Sequence, residues 1–225
     1  MAAPSGFKQT LFTQFARVGK ALSNANRLVL LEYIAQGERS VEELARLSGL
    51  SIANASQHLQ QLRHAGLVSN RKAGLNVFYR LSGTDVIALL DALRRVAQRH
   101  LDEVEQLIDT YLRVKDQLEP VPREELLSRA RDGLVTVLDV RPPEEYAAGH
   151  LPGAINIPLE QLEERLDELG PERQIVAYCR GPHCILAFDA VARLRQQGRD
   201  ARRLEDGYPE WLEAGLPVER GSQGS

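Results

Sequence analysis

The chain has two cysteines in 225 residues, Cys179 and Cys184, and none before them. So few thiols argue against a structural disulfide framework and for a reducing compartment. No apolar run approaches the ~20 residues needed to span a bilayer, which argues against a membrane partner. The opening MAAPSGFKQT has no basic stretch followed by an apolar one, so it predicts no secretory signal. These absences together predict a cytoplasmic protein. Proline and glycine are missing from residues 84–117, so nothing there announces a turn.

What remains is an ordinary globular composition, 43% hydrophobic, long enough for two small domains. Charge is distributed unevenly. Residues 1–80 carry 10 Lys/Arg against 4 Asp/Glu, whereas residues 119–225 carry 13 against 20. The asymmetry suggests that only the first third faces a polyanion.

Helical spacing of Phe7, Leu11, Phe15, Val18 and Leu22 predicts a first helix over 7–22. Ser23–Asn24 reads as a cap region before a second helix over 27–36, which stops at Gly37. Ser40 and Glu43 have capping-box spacing ahead of VEELARLSG, and Gly49 closes that helix. Ser51 starts SIANASQHLQQLRHAG, which stops at Gly66. Two short helices joined by Ser48-Gly49-Leu50-Ser51 make a helix-turn-helix. Residues 67–70 and 76–81 read as two strands around an Arg71-Lys72-Ala73-Gly74 tip, a wing.

From 84 to 117 one uninterrupted helix is expected. Val86, Leu90, Leu93, Ala97, His100, Val104, Leu107 and Tyr111 form a heptad seam, read as a dimerisation helix. Glu119-Pro120-Val121-Pro122 is a stiff linker. Beyond it, strands at 134–140, 154–157, 174–178 and 201–204 alternate with helical stretches at 123–131, 160–168 and 184–197. The fold class expected is a mostly α winged helix-turn-helix over 1–118, a linker at 119–122, and an α/β domain with a parallel sheet over 123–225.

On the second helix of the helix-turn-helix, Ile52, Ala55, Leu59 and Leu62 form the core face. Asn54, Gln57 and Gln61 lie opposite, flanked by Ser56 and His58. Amide side chains can read adenine edges in the major groove of double-stranded DNA. Arg63, Arg71, Lys72 and Arg80 suit phosphates, or a minor groove at the wing. Residues 24–80 resemble the ArsR/SmtB family of winged-helix repressors in NRLVLLEYI, SVEELARLSGLS, ASQHLQQLRHAGLV and RKAGLNVFYRL. The resemblance implies a homodimer built from the first and last helices on a near-palindromic operator. Members often sense metals through cysteines in the helix before the recognition helix; here VEELARLSG has none. A site of His100, Asp102, Glu103 and Glu105 on the long helix stays open, beside its reading as a charged helix face.

In QIVAYCRGPHCILA, an apolar strand ends at Tyr178, a loop with Gly181 and Pro182 follows, and a helix starts near Cys184. A cysteine at a strand end facing a helix N-terminus meets backbone N–H groups and a positive dipole end, both of which favour an anionic sulfur. Arg180 and His183 add positive character. Such a thiolate is a nucleophile for sulfane sulfur, and the same donors stabilise the persulfide. A metal site from Cys179, His183 and Cys184 lacks a fourth ligand and suits zinc poorly, so no metal is assigned; a softer trivalent thiophile stays open.

Residues 123–219 closely resemble a single-domain rhodanese, through LDVRPPEEYAAGHLPGAINIP, VAYCRGPHC and EDGYPEWLEAGLPVE. The resemblance implies that Cys179 carries sulfur, as a covalent persulfide rather than through a separate cofactor, and that Asp139 and Arg141 brace the loop. The family commonly closes this loop with a basic or hydroxyl residue; here Cys184 closes it. That counts against efficient thiosulfate turnover and adds a thiol able to resolve a persulfide through a disulfide or polysulfide bridge. Four intervening residues leave direct disulfide geometry open. The expected function is a DNA-binding regulator, a repressor, responding to a small sulfur-containing effector. The alternatives are a sulfurtransferase tethered to a DNA-binding dimer, and an oxidant or arsenite sensor using the same thiols.

Overall fold

Three helices of the N-terminal unit begin on side chains that satisfy their free backbone donors. The computed structural model describes residues 6–170 and 173–221. In it α1 (Phe7–Leu22) precedes α2 (Ala25–Ala35), which opens on Asn24, whose side chain accepts from the Arg27 N–H at 3.2 Å. After β1 (Arg39–Ser40), α3 (Val41–Ser48) opens on a reciprocal Ser40/Glu43 capping box and ends at Gly49, φ 69°. Helix α4 (Ile52–His64) opens on Ser51, which accepts from the Asn54 N–H at 3.3 Å. Such caps contribute about 1 kcal/mol each.

Strands β2 (Val68–Ala73) and β3 (Asn76–Leu81) form the wing, in an antiparallel sheet of order β1-β3-β2. The register pairs Ala73 with Asn76, so the tip is Gly74-Leu75. Arg71 and Lys72, expected in the tip, lie within β2 opposite Phe78 and Val77. The core gathers Leu30, Leu31, Leu44, Ala55, Leu59 and Leu62. Ile52, expected on that face, is 55% exposed; it occupies the first position of α4, beyond the buried stripe. The stripe on α1 is also uncovered, with Phe7, Leu11 and Phe15 exposed.

The chain divides into two compact units, Met1–Val86 and Ile87–Ser225, rather than at the 119–122 linker. Ion pairs join Arg94, Lys115 and Asp116 to the rest of the second unit. Arg94 meets Glu210 at 2.6 Å, Asp116 meets Arg195 at 2.8 Å, and Lys115 pairs with Asp189. The uninterrupted helix expected over 84–117 is also corrected. Helix α5 (Asp85–His100) stops, Leu101 is extended (φ −117°, ψ 104°), and α6 (Asp102–Ile108) begins anew before a π-helical turn, Asp109–Arg113. Asp102, Glu103 and Glu105 in the first turn of α6 favour a helix N-terminus there. The break interrupts the heptad seam: Val86 and Leu90 are buried, while Leu93, Leu107 and Tyr111 are exposed.

The rest of the second unit is a four-stranded parallel sheet of order β5-β4-β6-β7. Its strands are β4 (Val135–Asp139), β5 (Ile155–Asn156), β6 (Gln174–Tyr178) and β7 (Ala201–Arg203). Helix α7 (Arg123–Arg131) precedes β4 and α9 (Ile185–Gln196) follows β6. Between β5 and β6 the expected helix over 160–168 is replaced by 3-10 turns at Leu159–Gln161 and Leu166–Leu169. Two short helices go beyond the sequence expectation, α8 (Pro143–Ala148) and α10 (Tyr208–Glu213), both with proline in the first turn. Alternation along β6 sends Ile175, Ala177 and Cys179 into the core beneath α9, and Val176 and Tyr178 into the one holding Leu126 and Trp211. The β6–α9 loop thus lies at the carboxyl end of the parallel strands, where such sheets place their sites. Among the described residues no helix is long and apolar enough to cross a membrane.

Candidate functional site

Cys179 follows β6 directly and is buried. Its carbonyl accepts from the Tyr208 N–H at 3.1 Å. Cys184 is the N-cap residue of α9, and its N–H donates to the Gly181 carbonyl at 3.1 Å, which turns the loop back on itself. The two Cα atoms stand 6.2 Å apart and the sulfurs are joined in a disulfide. That separation lies within the usual range for a bridge, so the four intervening residues permit direct closure. When the bridge is open, a sulfur anion at Cys184 meets the positive end of a 12-residue helix.

The loop is held from three sides. Arg180, expected to lend positive character to the thiols, instead makes a bidentate pair with the buried Glu145 of α8, its Nε at 3.0 Å from both carboxylate oxygens. Its charge is therefore balanced within the brace. Below the loop, Asp139 and Arg141 are fully buried. The Arg141 Nη2 donates to Asp139 at 2.6 Å and to the Gly149 carbonyl at 2.7 Å. The Tyr178 hydroxyl donates to Asp139 as well, so this pair is tied to the residue preceding Cys179. Burial draws the Arg141 pKa down, but the Asp139 carboxylate outweighs it and the net shift is upward. Burial, then Asp139, pushes the Tyr178 phenol well above its ordinary value, so it remains a donor.

The third side is the segment before α10. A Cβ on Gly207 would fall 2.2 Å from the Gly181 nitrogen, so only glycine admits this approach. The Gly207 N–H donates to Glu210 at 3.1 Å, and the other Glu210 oxygen accepts from Arg94 on α5 at 2.6 Å. Glu145, Gly207, Glu210 and Arg94 are not marked as functional by the sequence alone. Three of them sit in the two motif segments PPEEY and EDGYPEW; Arg94 carried no signal.

His183 helps line an apolar cavity of about 360 Å³, with Ala97, Val104, Leu107 and Tyr111. Loss of hydration, with Arg94 and Arg203 nearby, holds its imidazole below the usual pKa. Pro182 and His183 also border a polar cleft with Asp91, Arg94, Arg123 and Asp206. Among the described residues no group of three or more His, Cys, Asp or Glu is arranged to hold a metal, the His100 region included.

On the other unit, Asn54 and Gln57 are exposed and Ser56 and His58 half-buried. Gln61 is exposed, yet its Oε1 accepts from the Arg27 Nη1 at 2.7 Å, which turns the amide toward α2. Arg71 is held by Glu38, its Nε at 2.9 Å from one oxygen, rather than standing ready for a phosphate. Arg63 leans on Asn70 at 3.4 Å, Arg80 donates to the Ser69 hydroxyl at 3.2 Å, and Lys72 is exposed.

These features define a class, a winged helix-turn-helix protein that carries a rhodanese-like domain. Family models agree: a helix-turn-helix domain matches residues 22–71 and a rhodanese-like domain residues 122–214. The chain belongs to the family of the HTH-type transcriptional regulator Rv0324 of Mycobacterium tuberculosis, being 48% identical to it over 222 residues, 99% of this chain and 97% of that one. Each half also has relatives of its own. The transcriptional activator HlyU of Vibrio cholerae is 44% identical over 77 residues, 34% of this chain and 71% of HlyU. A sulfurtransferase of Allochromatium vinosum is 34% identical over 85 residues, 37% of this chain and 78% of that protein.

Proposed function

We propose that the chain is a homodimeric cytoplasmic repressor that binds a near-palindromic DNA operator and responds to reactive sulfur at Cys179 and Cys184. The observation that carries this reading is the pairing of both thiols of the chain across one loop. In the first step the Cys179 thiolate attacks the outer sulfur of a persulfide, RSSH. The donor S–S bond breaks, RSH leaves, and Cys179 holds a persulfide. In the second step the Cys184 thiolate attacks the Cys179 sulfur and hydrogen sulfide leaves. Two thiols are oxidised to one disulfide, and one sulfane sulfur is reduced to sulfide. Further sulfane sulfur would lengthen the bridge instead. The sulfur is carried covalently, so no separate cofactor enters.

The exposed face of α1, with Phe7, Leu11 and Phe15, supports a second copy as partner. The exposed Asn54 and Gln57 suit base edges. The test uses a duplex selected from a random pool by the reduced protein. Binding is measured before and after sodium tetrasulfide, for the parent, Cys179→Ser and Cys184→Ser. Release that depends on both cysteines is expected; release that survives both substitutions overturns the reading. The similarity to a sulfurtransferase favours a second reading, an enzyme tethered to DNA. Steady thiosulfate-to-cyanide turnover dependent on Cys179 would select it, and stoichiometric modification would select the sensor.

A further inference from the structure

We infer that Arg94 is the positioning residue that carries the state of the Cys179–Cys184 loop into α5; this rests on the sulfur-responsive reading above. Arg94 reaches the loop assembly through its ion pair with Glu210. Its Nη1 lies 2.6 Å from Glu210, and it flanks Gly181 with just room for a Cβ between them. Glu210 in turn fixes the Gly207 N–H at 3.1 Å. Gly207 is pressed on the backbone of Gly181 and Arg180, where a Cβ would come within 2.2 to 2.5 Å. Next to it, the Tyr208 N–H holds the Cys179 carbonyl.

These contacts form an unbroken chain of backbone and charge from the loop to α5. Opening the bridge, or lengthening it with sulfane sulfur, changes the span from Cys179 to Cys184. Gly181 sits inside that span and has no free space on the Gly207 side. Close-packed backbone cannot absorb the change continuously, so it moves to another arrangement. The displaced part is the Gly207–Glu210 turn, and Glu210 is buried with Arg94 as its charge partner. A buried carboxylate that loses its cation is costly, so Arg94 and its helix must follow or the pair must break. Helix α5 begins at Asp85, with three residues between it and the end of wing strand β3 at Leu81. A shift of α5 therefore reaches the DNA-binding unit along the chain itself.

The experiment measures operator affinity of the full-length protein, reduced and bridged, for the parent, Arg94→Gln, Arg94→Lys, Glu210→Gln and the double variant Arg94→Gln/Glu210→Gln. Diamide closes the disulfide without adding sulfur, and intact mass reports the loss of two hydrogens. Thermal denaturation identifies variants that fold; the double variant avoids an unpaired buried charge. The parent is expected to change affinity by about 5- to 150-fold on bridging. Arg94→Gln, Glu210→Gln and the double variant should close the same bridge yet change by less than about twofold, while Arg94→Lys keeps part of the response. A full response in the Arg94→Gln and double variants overturns this inference alone. A parent that bridges with no change in affinity overturns both this and the function it rests on.

Discussion

Gly207 lies against Gly181 with no room for a side chain, so the Cys179–Cys184 loop and the turn before α10 share one backbone contact. Its φ of −107° is open to any residue, so the requirement is space and not conformation. Gly207→Ala should push the loop from its seat. Forced backbone movement of this kind costs about 1–3 kcal/mol. Trp211, the single tryptophan, is buried in the second unit and reports its unfolding by fluorescence. The variant should unfold at lower urea and close the Cys179–Cys184 bridge more slowly with diamide. Unchanged stability and closure would show that the contact is slack.

Beneath the loop, the Asp139–Arg141 pair has no access to solvent on either side. Arg141 also stacks on the Tyr208 ring, with 4.4 Å between guanidinium carbon and centroid. Arg141→Met leaves the Asp139 carboxylate buried with the Tyr178 hydroxyl and the backbone N–H of residue 141 as its donors. Losing one partner of a buried pair costs about 3–5 kcal/mol. Replacing both, Asp139→Leu with Arg141→Met, should recover part of that loss. The Trp211 signal in urea measures both variants, and a single variant as stable as the parent would contradict the bracing role.

Where a structural feature is decided by neighbours in sequence, its residues announced it. Ser40 with Glu43, Asn24 and Ser51 mark helix starts because the capping group lies within three residues of the donor it satisfies. The span of β6 is legible because an apolar run ends at a turn. The break at Leu101 was hidden by a heptad pattern that continues through it, and only the acidic run after it pointed to a new helix start. Helices α8 and α10 have six residues each, too few for a periodicity to show. At the site, the cysteines and the Asp139–Arg141 pair stand in motifs. The partners of Arg71, Gln61 and Arg94 lie 33, 34 and 116 residues away, and only the fold brings them together.

Asp206, beside Gly207, has its pKa raised from 3.8 to about 6, first by burial and against the pull of Arg123 at 2.8 Å. The folded protein therefore binds this proton more tightly than the unfolded chain. The stabilising effect of protonation is complete below about pH 4 and lost as pH rises through 6. Allowing for the group's partial exposure, the cost of ionised Asp206 at pH 8 is about 1–2 kcal/mol. Asp206→Asn should gain stability over the parent between pH 4 and 8, by roughly that amount at the top of the range. Parallel pH profiles of the two proteins would count against the assignment.

On the DNA-binding unit, Gln57 and Lys72 should separate sequence reading from phosphate attraction. Gln57→Ala is expected to relax preference at one base position of the selected duplex by about 1–3 kcal/mol, with the salt slope unchanged. Lys72→Ala should weaken all sequences alike and lower the salt slope by about one. Arg71→Ala should have less effect than Lys72→Ala, because Glu38 already balances the Arg71 charge. Glu38→Gln releases that charge toward the duplex and should raise affinity for all sequences at low salt, steepening the salt slope. Fluorescence anisotropy over a salt series measures all four. If Glu38→Gln leaves the slope as it was, Arg71 is no phosphate contact even when unpaired, and the positive edge of the wing reduces to Lys72 and Arg80.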